Sequence, residues 1–132
     1  SPKIYLRDSG LLHALLGISD QEALLGHPIV GASWEGFVLE QLLRQETGDA
    51  YFWATHQGAE LDLLIVQGTR RIGYEIKRSD APKLTKSMRV ALPALRLNAL
   101  RVVYPGSTRY MLANNVEAVP LQNMPEIIAP RT

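Results

Sequence analysis

The segment from residue 58 to residue 79, GAELDLLIVQGTRRIGYEIKRS, constrains the fold most strongly because it predicts a β-hairpin. Two mostly apolar runs, 60–66 and 71–77, flank the dipeptide Gly68-Thr69. Glycine at the first central position suits a two-residue type II′ turn. In the register that this turn sets, Asp62 faces Glu75 across the two strands.

Charged residues stand inside both strands of this hairpin. Side chains alternate across a strand, so Glu75 and Lys77 share one face about 7 Å apart. Alternation also places Leu61, Leu63 and Ile65 on the face opposite Glu60, Asp62, Leu64 and Val66. Two opposed carboxylates destabilise a sheet unless positive charge lies between them. Either Lys77 or a divalent cation could supply that positive charge. Mg²⁺ is usually held by one or two carboxylates, water and phosphate.

A third carboxylate belongs to the amphipathic helix predicted over 32–46, which Gly48 ends. At about 100° per residue, Glu35 falls inside the apolar arc of that helix, whereas Glu40 falls on the other side with Arg44. A buried carboxylate is costly unless it is paired, protonated or bound to metal. We therefore expect Glu35 to be buried and Glu40 to be solvated, with an arginine partner for Glu35 as the alternative.

The order of the remaining elements predicts a mixed α/β layer fold. Ser79 and Asp80 are the expected caps of a helix that runs to about 92 and stops at Pro93, and an irregular tail covers 123–132. An apolar helix with Asp8 and Ser9 as caps is expected to end at Gly17. Further strands are expected at 3–6, 50–55, 99–105, 108–113 and 116–121.

Composition limits the classes of protein that the chain can represent. Its 132 residues, 46% hydrophobic and 20% charged, fit one globular domain. The lack of cysteine excludes disulfides and cysteine-based metal sites, and suits a reducing compartment. No apolar run approaches the roughly 18 residues of a membrane span, so we expect a cytoplasmic protein without a membrane partner. The start SPKIYLRD lacks an initiator Met and leads at once into a strand, so we expect a fragment of a longer protein.

Basic residues concentrate in positions 70–89, which hold seven of the fourteen Lys and Arg. Such a bias suits phosphate binding, and a solvated helix face is the alternative.

Two other sequence patterns do not indicate a functional site. The run from Gly68 to Gly73 matches the first six positions of a P-loop but lacks the lysine that follows. His13, His27 and His56 do not have metal-ligand spacing.

The helical Glu35, then Asp62, then Glu75-Ile76-Lys77 on the paired strand resemble the signature of the PD-(D/E)xK nuclease superfamily. Leu61 stands where that signature has proline. The resemblance implies a restriction-endonuclease-like three-layer core with a central mixed sheet flanked by helices. It also implies a Mg²⁺-dependent or Mn²⁺-dependent endonuclease that hydrolyses phosphodiesters of DNA, with RNA as the lesser alternative.

Most of the chain is also similar to a C-terminal domain of unknown function that follows a P-loop ATPase module in many prokaryotic AAA-superfamily proteins. The segments that carry this likeness are PKIYLRDSGLLHALLG, GASWEGFVLEQLL, YFWATHQGAELDLLI and IGYEIKRSD. The likeness implies an N-terminal ATPase in the same chain as a partner. The alternative function is a non-catalytic module that binds nucleic acid or protein and regulates or tethers that ATPase, and a homo-oligomer is also open.

The superfamily resemblance assigns roles by position. Asp62 and Glu75, with the backbone carbonyl of Ile76, would hold one or two metal ions, and Glu35 would reach a second metal or its water shell. Lys77 would orient the attacking water and offset charge on the phosphate. Three basic residues would contact backbone phosphates independently of sequence: Arg78, Lys83 and Lys86.

Overall fold

The computed structural model describes residues 34–128, which form a mixed six-stranded sheet and three α-helices. The helices are α1 (Trp34–Gln45), α2 (Lys86–Ala94) and α3 (Met124–Ile128), the last preceded by a 3-10 turn at Leu121–Asn123. The strands are β1 (Asp49–Ala54), β2 (Glu60–Gln67), β3 (Arg70–Ile76), β4 (Ala99–Tyr104), β5 (Tyr110–Ala113) and β6 (Val116–Pro120). The strand and the capped helix expected before Gly17, with His13 and His27, lie outside these residues.

The sheet has the strand order β1-β2-β3-β4-β6-β5. Strands β1, β2 and β3 form an antiparallel meander, while β3 pairs with β4 and β4 with β6 in parallel. A parallel pair needs a crossover connection, and α2 supplies it between β3 and β4. Strand β5 closes the far edge by antiparallel pairing with β6. The expected mixed α/β layer fold is confirmed at this level.

Two hydrophobic cores lie on opposite faces of the sheet. On one face α2 packs through Met88 against Leu64 and Leu100. On the other face α1 packs through Leu42, and Met124 of α3 joins the same cluster. Helices therefore cover the sheet on both sides, which explains the nearly continuous apolar sequences of β2 and β4.

The predicted register of the hairpin is confirmed. Strand β2 pairs with β3 from Leu63↔Tyr74 to Gln67↔Arg70, as the turn at Gly68-Thr69 requires. Gly68 has a φ of 64°, whereas the following Thr69 keeps a negative φ, in accord with a type II′ turn. The turn chemistry alone was sufficient to fix this pairing.

The prediction that side chains alternate strictly between the two faces along β2 is wrong. Trp53 pairs with Leu61 and Tyr51 pairs with Leu64, so two β2 residues oppose the single Phe52 between these pairs. This extra residue is a β-bulge at Asp62 and Leu63, and it shifts the phase of the side chains. Leu61 consequently packs with Leu64 against α2 instead of lying on the opposite face with Leu63 and Ile65.

Helix α2 starts later than predicted. Its cap is Thr85, whose hydroxyl accepts a 3.2 Å hydrogen bond from the backbone amide of Met88. Ser79 instead accepts a local bond from the Ala81 amide, at 3.1 Å, so it serves a turn before the helix. Pro93 does not end the helix but lies in its last turn, which runs to Ala94.

The tail was also predicted wrongly, as irregular chain. Residues 124–128 form α3, with Pro125 in the first turn, where its missing amide proton costs no hydrogen bond. Met124 is 1% exposed and anchors the helix to the core that contains Val103 and Val119. Tertiary burial therefore orders a segment that has weak local signals. The remaining strands lie within two residues of their predicted bounds.

Candidate functional site

Glu75 is a buried charged residue near the end of β3, with 6% of its surface exposed. It lies opposite Val102 of β4. Gly73 lies two residues earlier on the same face, and a Cβ there would lie 2.8 Å from Leu97 Cδ1, so the Leu97 side chain would have to shift. Burial, followed by the charge and hydrogen bond of Asp62, raises the pKa of Glu75 to about 9. A protonated carboxyl is therefore the stable form at neutral pH without a cation.

Asp62 lies beside Glu75, as the hairpin register predicted. The charge of Asp62 and a hydrogen bond between the two side chains both raise the pKa of Glu75. Asp62 Oδ2 also accepts a 2.8 Å hydrogen bond from the backbone amide of Ile76. The β-bulge places Asp62 where it can reach both groups. Nothing in the sequence signalled the bond to Ile76, because it depends on the bulge.

Lys77 is half-buried directly after β3, and its positive charge lowers the pKa of Glu75 against the larger effects of burial and Asp62. Its amide donates to the Val103 carbonyl at 2.9 Å, which extends the contact with β4 beyond the strand. Glu60 is exposed, and its charge slightly raises the pKa of Glu75. The Glu60 amide donates to Ser87 Oγ at 3.3 Å and so links β2 to the first turn of α2.

Glu35 does not lie buried, which corrects the expectation from the helical wheel. Its side chain is 41% exposed and lies 3.7 Å from Arg78 Nε, so the alternative of an arginine partner is the one that the structure shows. The side chain of Glu40 is less exposed, at 33%, and it pairs with Arg44. A helical wheel gives the angular position of a side chain around the helix axis, but it does not show whether another element packs against that side chain.

The three predicted phosphate contacts, Arg78, Lys83 and Lys86, are all exposed. Arg78 follows Lys77 directly, and Lys86 opens the helix that Ser87 ties to Glu60. The basic segment does not act as one surface, however. Arg71 donates to the Leu95 carbonyl at 3.1 Å, which is a structural contact between β3 and the end of α2.

The chemistry of a divalent cation fits the Asp62–Glu75 pair. A dication offers the positive charge that two adjoining carboxylates need, and Mg²⁺ accepts one or two carboxylates with water and phosphate completing its shell. Within residues 34–128, no group of three or more His, Asp or Glu side chains is arranged to hold a metal. The described residues thus assemble two carboxylates and one lysine, without Glu35 as a third ligand.

Comparison with known proteins places the chain in a family. The model of a domain of unknown function, DUF4143, matches residues 30–124. The chain belongs to the DUF4143 family. Uncharacterized proteins of Mycobacterium bovis and Mycobacterium tuberculosis are each 54% identical to it over 121 residues, which is 91% of this chain. The chain spans only 27% of the length of these relatives. No solved structure matches it significantly.

The predicted likeness to a domain of unknown function is therefore confirmed, with longer proteins among the relatives of this DUF4143 domain. In the part of the domain that the structure describes, no helix is long and apolar enough to cross a membrane.

A second polar cluster of the DUF4143 domain went unnoticed in the sequence. Tyr74 donates a hydrogen bond to Glu46 Oε2 and accepts one from Arg101 NH1 at 2.7 Å. The side chains of Arg101 and Glu46 are 12% and 5% exposed and lie 3.7 Å apart. Gln67 Nε2 donates to Glu46 Oε1 at 3.1 Å and to the Thr47 carbonyl at 2.7 Å. These residues come from β2, β3, β4 and the segment directly after α1, so no local pattern could reveal them.

Proposed function

We propose that this domain is a metal-dependent phosphodiesterase of restriction-endonuclease-like architecture that acts on DNA. One observation carries the proposal. The buried Glu75 carboxyl lies near the end of β3, Asp62 raises its pKa, and Lys77 follows in a half-buried position. A buried carboxyl group with a raised pKa, beside a second carboxyl group and a lysine, is typical of catalytic sites.

Asp62 and Glu75 would hold Mg²⁺ or Mn²⁺, with the Ile76 carbonyl as a further oxygen ligand. Bound there, the cation would supply Lewis acidity and lower the pKa of a coordinated water. The amide of Ile76 fixes the Asp62 carboxylate in place, because it donates to Oδ2. That bond leaves the other oxygen, Oδ1, for the cation.

Lys77 has the role of orienting the attacking water and offsetting negative charge on the phosphate. Its partial burial strengthens electrostatic interactions at the site. Glu35 lies 3.7 Å from Arg78, a contact that the resemblance did not imply. This pair would position the guanidinium of Arg78 for contact with a phosphate. Lys83 and Lys86 would add phosphate contacts whose strength falls with salt.

An upstream AAA-type ATPase is part of the proposal. The chain spans about a quarter of its curated relatives, which leaves room for another module in proteins of that length. The sequence likeness described above supports an ATPase in that place. Energy from ATP would then act on the nucleic acid that this domain cleaves.

The second candidate is a non-catalytic module that binds nucleic acid or protein and tethers or regulates the ATPase. One observation favours it. Residues 34–128 contain no ready cluster of three metal-binding side chains. A site with two carboxylates holds a cation less tightly than a site with three, because fewer charged ligands contribute.

The deciding experiment is a calorimetric titration of Mg²⁺ and Mn²⁺ into the wild-type chain and into Asp62→Ala, followed by a nuclease assay on single-stranded and double-stranded DNA. We expect saturable binding to wild type that is lost in the variant. Asp80→Asn is the matched control, because Asp80 is an exposed carboxylate in the loop after Lys77. Glu75→Gln and Lys77→Met should abolish cleavage, whereas Asp80→Asn should leave it intact.

Cleavage that survives in both Glu75→Gln and Lys77→Met would remove the catalytic proposal. Wild-type chain that binds no cation at millimolar concentration, yet retards DNA in a gel, would favour the non-catalytic module. RNA cleavage without DNA cleavage would keep the chemistry and change the substrate.

A further inference from the structure

A cavity of about 150 Å³ lies at the other end of the hairpin from Glu75, where α1 ends and β3 begins. Arg70 and Ile72 of β3 form part of its wall. A strand rises about 3.3 Å per residue, so Arg70 is roughly 16 Å from Glu75 along β3. Ile72 belongs to the core on the α1 face, whereas Glu75 lies on the other face with Gly73. The cavity is therefore separate from the carboxylate pair.

Polar groups make up most of the wall of this cavity. Arg70 and Thr47 line it and are exposed to solvent, so they lie toward its opening. Arg101 and Glu46 also line it, and their side chains are only 12% and 5% exposed. The cavity thus leads from solvent to a buried ion pair, with Ile72 and two residues of α3 as its aliphatic part.

The accessible acceptors of the wall are already engaged. Tyr74 donates to Glu46 Oε2, and Gln67 Nε2 donates to Glu46 Oε1 at 3.1 Å. Arg101 NH1 lies 3.7 Å from Glu46 Oε2 and offsets the charge of that carboxylate. Gln67 Nε2 also donates to the Thr47 carbonyl at 2.7 Å and to the Thr47 hydroxyl at 3.1 Å. A ligand that mainly donates hydrogen bonds would therefore find few partners in this cavity.

Several donors of the wall are unused. Arg101 donates through NH1 to Tyr74 at 2.7 Å, and within residues 34–128 its Nε and NH2 donors have no hydrogen bond to protein. The guanidinium of Arg70 has no hydrogen bond or ion pair with any residue that the structure describes. The Thr47 hydroxyl accepts from Gln67 and keeps its own proton for donation. The cavity therefore suits a ligand that accepts hydrogen bonds.

The charge of the wall favours an anion. Arg70 and Arg101 outnumber the single carboxylate of Glu46, so positive charge is in excess. Guanidinium groups with free donors bind oxyanions through charge-assisted hydrogen bonds. The free donors belong to three segments, namely β3, β4 and the residues after α1, and a tetrahedral oxyanion can accept from all three directions. The volume is well below that of typical drug-binding pockets, so the anion must be small.

We propose that this cavity binds a phosphate-sized tetrahedral oxyanion. The anion lies between the guanidinium groups of Arg70 and Arg101 and accepts the hydroxyl proton of Thr47. Inorganic phosphate and the phosphate group of a small phosphomonoester share this chemistry. The site is independent of the metal-dependent chemistry proposed for Asp62 and Glu75.

The test titrates inorganic phosphate into the ¹⁵N-labelled chain at constant ionic strength, with sodium chloride as the balancing salt. The Nε–H signals of Arg70 and Arg101 are followed by NMR. We expect saturable shifts with a dissociation constant in the millimolar range or tighter, as a ligand of this size permits. No saturable shift at tens of millimolar phosphate would overturn the proposal, and so would shifts at Lys77 in place of the two arginines.

Two further probes define the anion. Acetate is planar and offers only two oxygens, so it should bind about tenfold more weakly than phosphate or worse. Equal affinity for acetate and phosphate would overturn the assignment to a tetrahedral anion. Deoxyadenosine 5′-monophosphate separates the two sources: binding as tight as that of phosphate supports a phosphomonoester, and weaker binding supports the free ion.

Variants assign the contacts. Arg70→Gln should weaken binding of phosphate about tenfold or more, whereas Arg89→Gln, which changes an exposed arginine on α2, should leave it unchanged. Thr47→Val should weaken binding less than Arg70→Gln, because it removes one neutral donor and no charge. Equal affinity of Arg70→Gln and Arg89→Gln for phosphate would overturn the proposal.

Discussion

Asp62 Oδ2 lies 2.8 Å from the backbone nitrogen of Ile76, so a side chain of β2 binds the backbone of β3 just beyond their last paired residues, Leu63 and Tyr74. The bond holds one of two adjoining carboxyl groups in a fixed position. It also satisfies a backbone donor of a residue that is 8% exposed. Asp62 thus has a structural role in addition to the proposed catalytic one.

This dual role predicts different effects of two substitutions. Asp62→Asn keeps an oxygen for the Ile76 amide, whereas Asp62→Ala leaves the amide unpaired. We expect the Asn variant to exceed the Ala variant in free energy of unfolding by about 1–3 kcal/mol. Urea denaturation in EDTA measures the difference. Equal stability of the two variants would show that the bond to Ile76 contributes nothing.

Glu75 predicts a pH-dependent stability. Its pKa rises from 4.5 to about 9 on folding, so the folded state binds the proton more tightly. The resulting stability is complete below about pH 4.5 and is lost as pH rises toward the folded-state pKa. Glu75→Gln cannot lose a proton. We expect it to match wild type at the acid end and to be more stable by about 2 kcal/mol or more around pH 8 in EDTA.

Chemical denaturation across this pH range tests the expectation, with Asp80→Asn as the control that should follow wild type. Parallel curves for wild type and Glu75→Gln would contradict it. If the proposed cation binds, Mg²⁺ should stabilise wild type according to its free concentration and leave Glu75→Gln unaffected.

The buried Arg101–Glu46 pair and the exposed Arg109–Glu117 pair make a matched comparison. Arg101→Met leaves the Glu46 carboxylate buried without its cation, which should cost about 3–5 kcal/mol. Arg109 lies 2.9 Å from Glu117, but its side chain is 44% exposed. Arg109→Met should therefore cost less than about 1 kcal/mol. Guanidinium denaturation of both variants checks the contrast, and similar costs would mean that burial does not set the strength of the Arg101 pair.

Gly48 joins the end of α1 to β1 in a conformation that a side chain cannot share. Its φ is 100°, and a Cβ there would lie 2.4 Å from the Val66 carbonyl oxygen. Gly58 has a similar φ of 95° but open space around it. Both Ala variants carry backbone strain, and Gly48→Ala adds a clash with backbone. We expect an additional loss of about 1–3 kcal/mol for Gly48→Ala, measured by thermal unfolding. Equal losses of stability in the two variants would mean that backbone strain at positive φ explains the whole loss and that the clash adds nothing.

Local chemistry explains which predictions from the sequence were correct. Gly68 at the first turn position fixed the pairing of β2 with β3, and that pairing brought Asp62 beside Glu75. The apolar periodicity of α1 gave its bounds to within two residues. The wrong predictions share another cause. The start of α2 and the helix at Met124 depend on competition between several weak local signals, and tertiary burial decides that competition.

The sequence by itself determined the hairpin register, the two apolar faces and the meeting of two carboxyl groups, because these follow from spacing within about twenty residues. Only the tertiary structure decided that Glu75 is buried, since this depends on β4 and α2. It also decided that a bulge turns Asp62 toward Ile76 and that Glu35 meets Arg78. Contacts between distant segments set burial and charge, and burial and charge set the chemistry of the site.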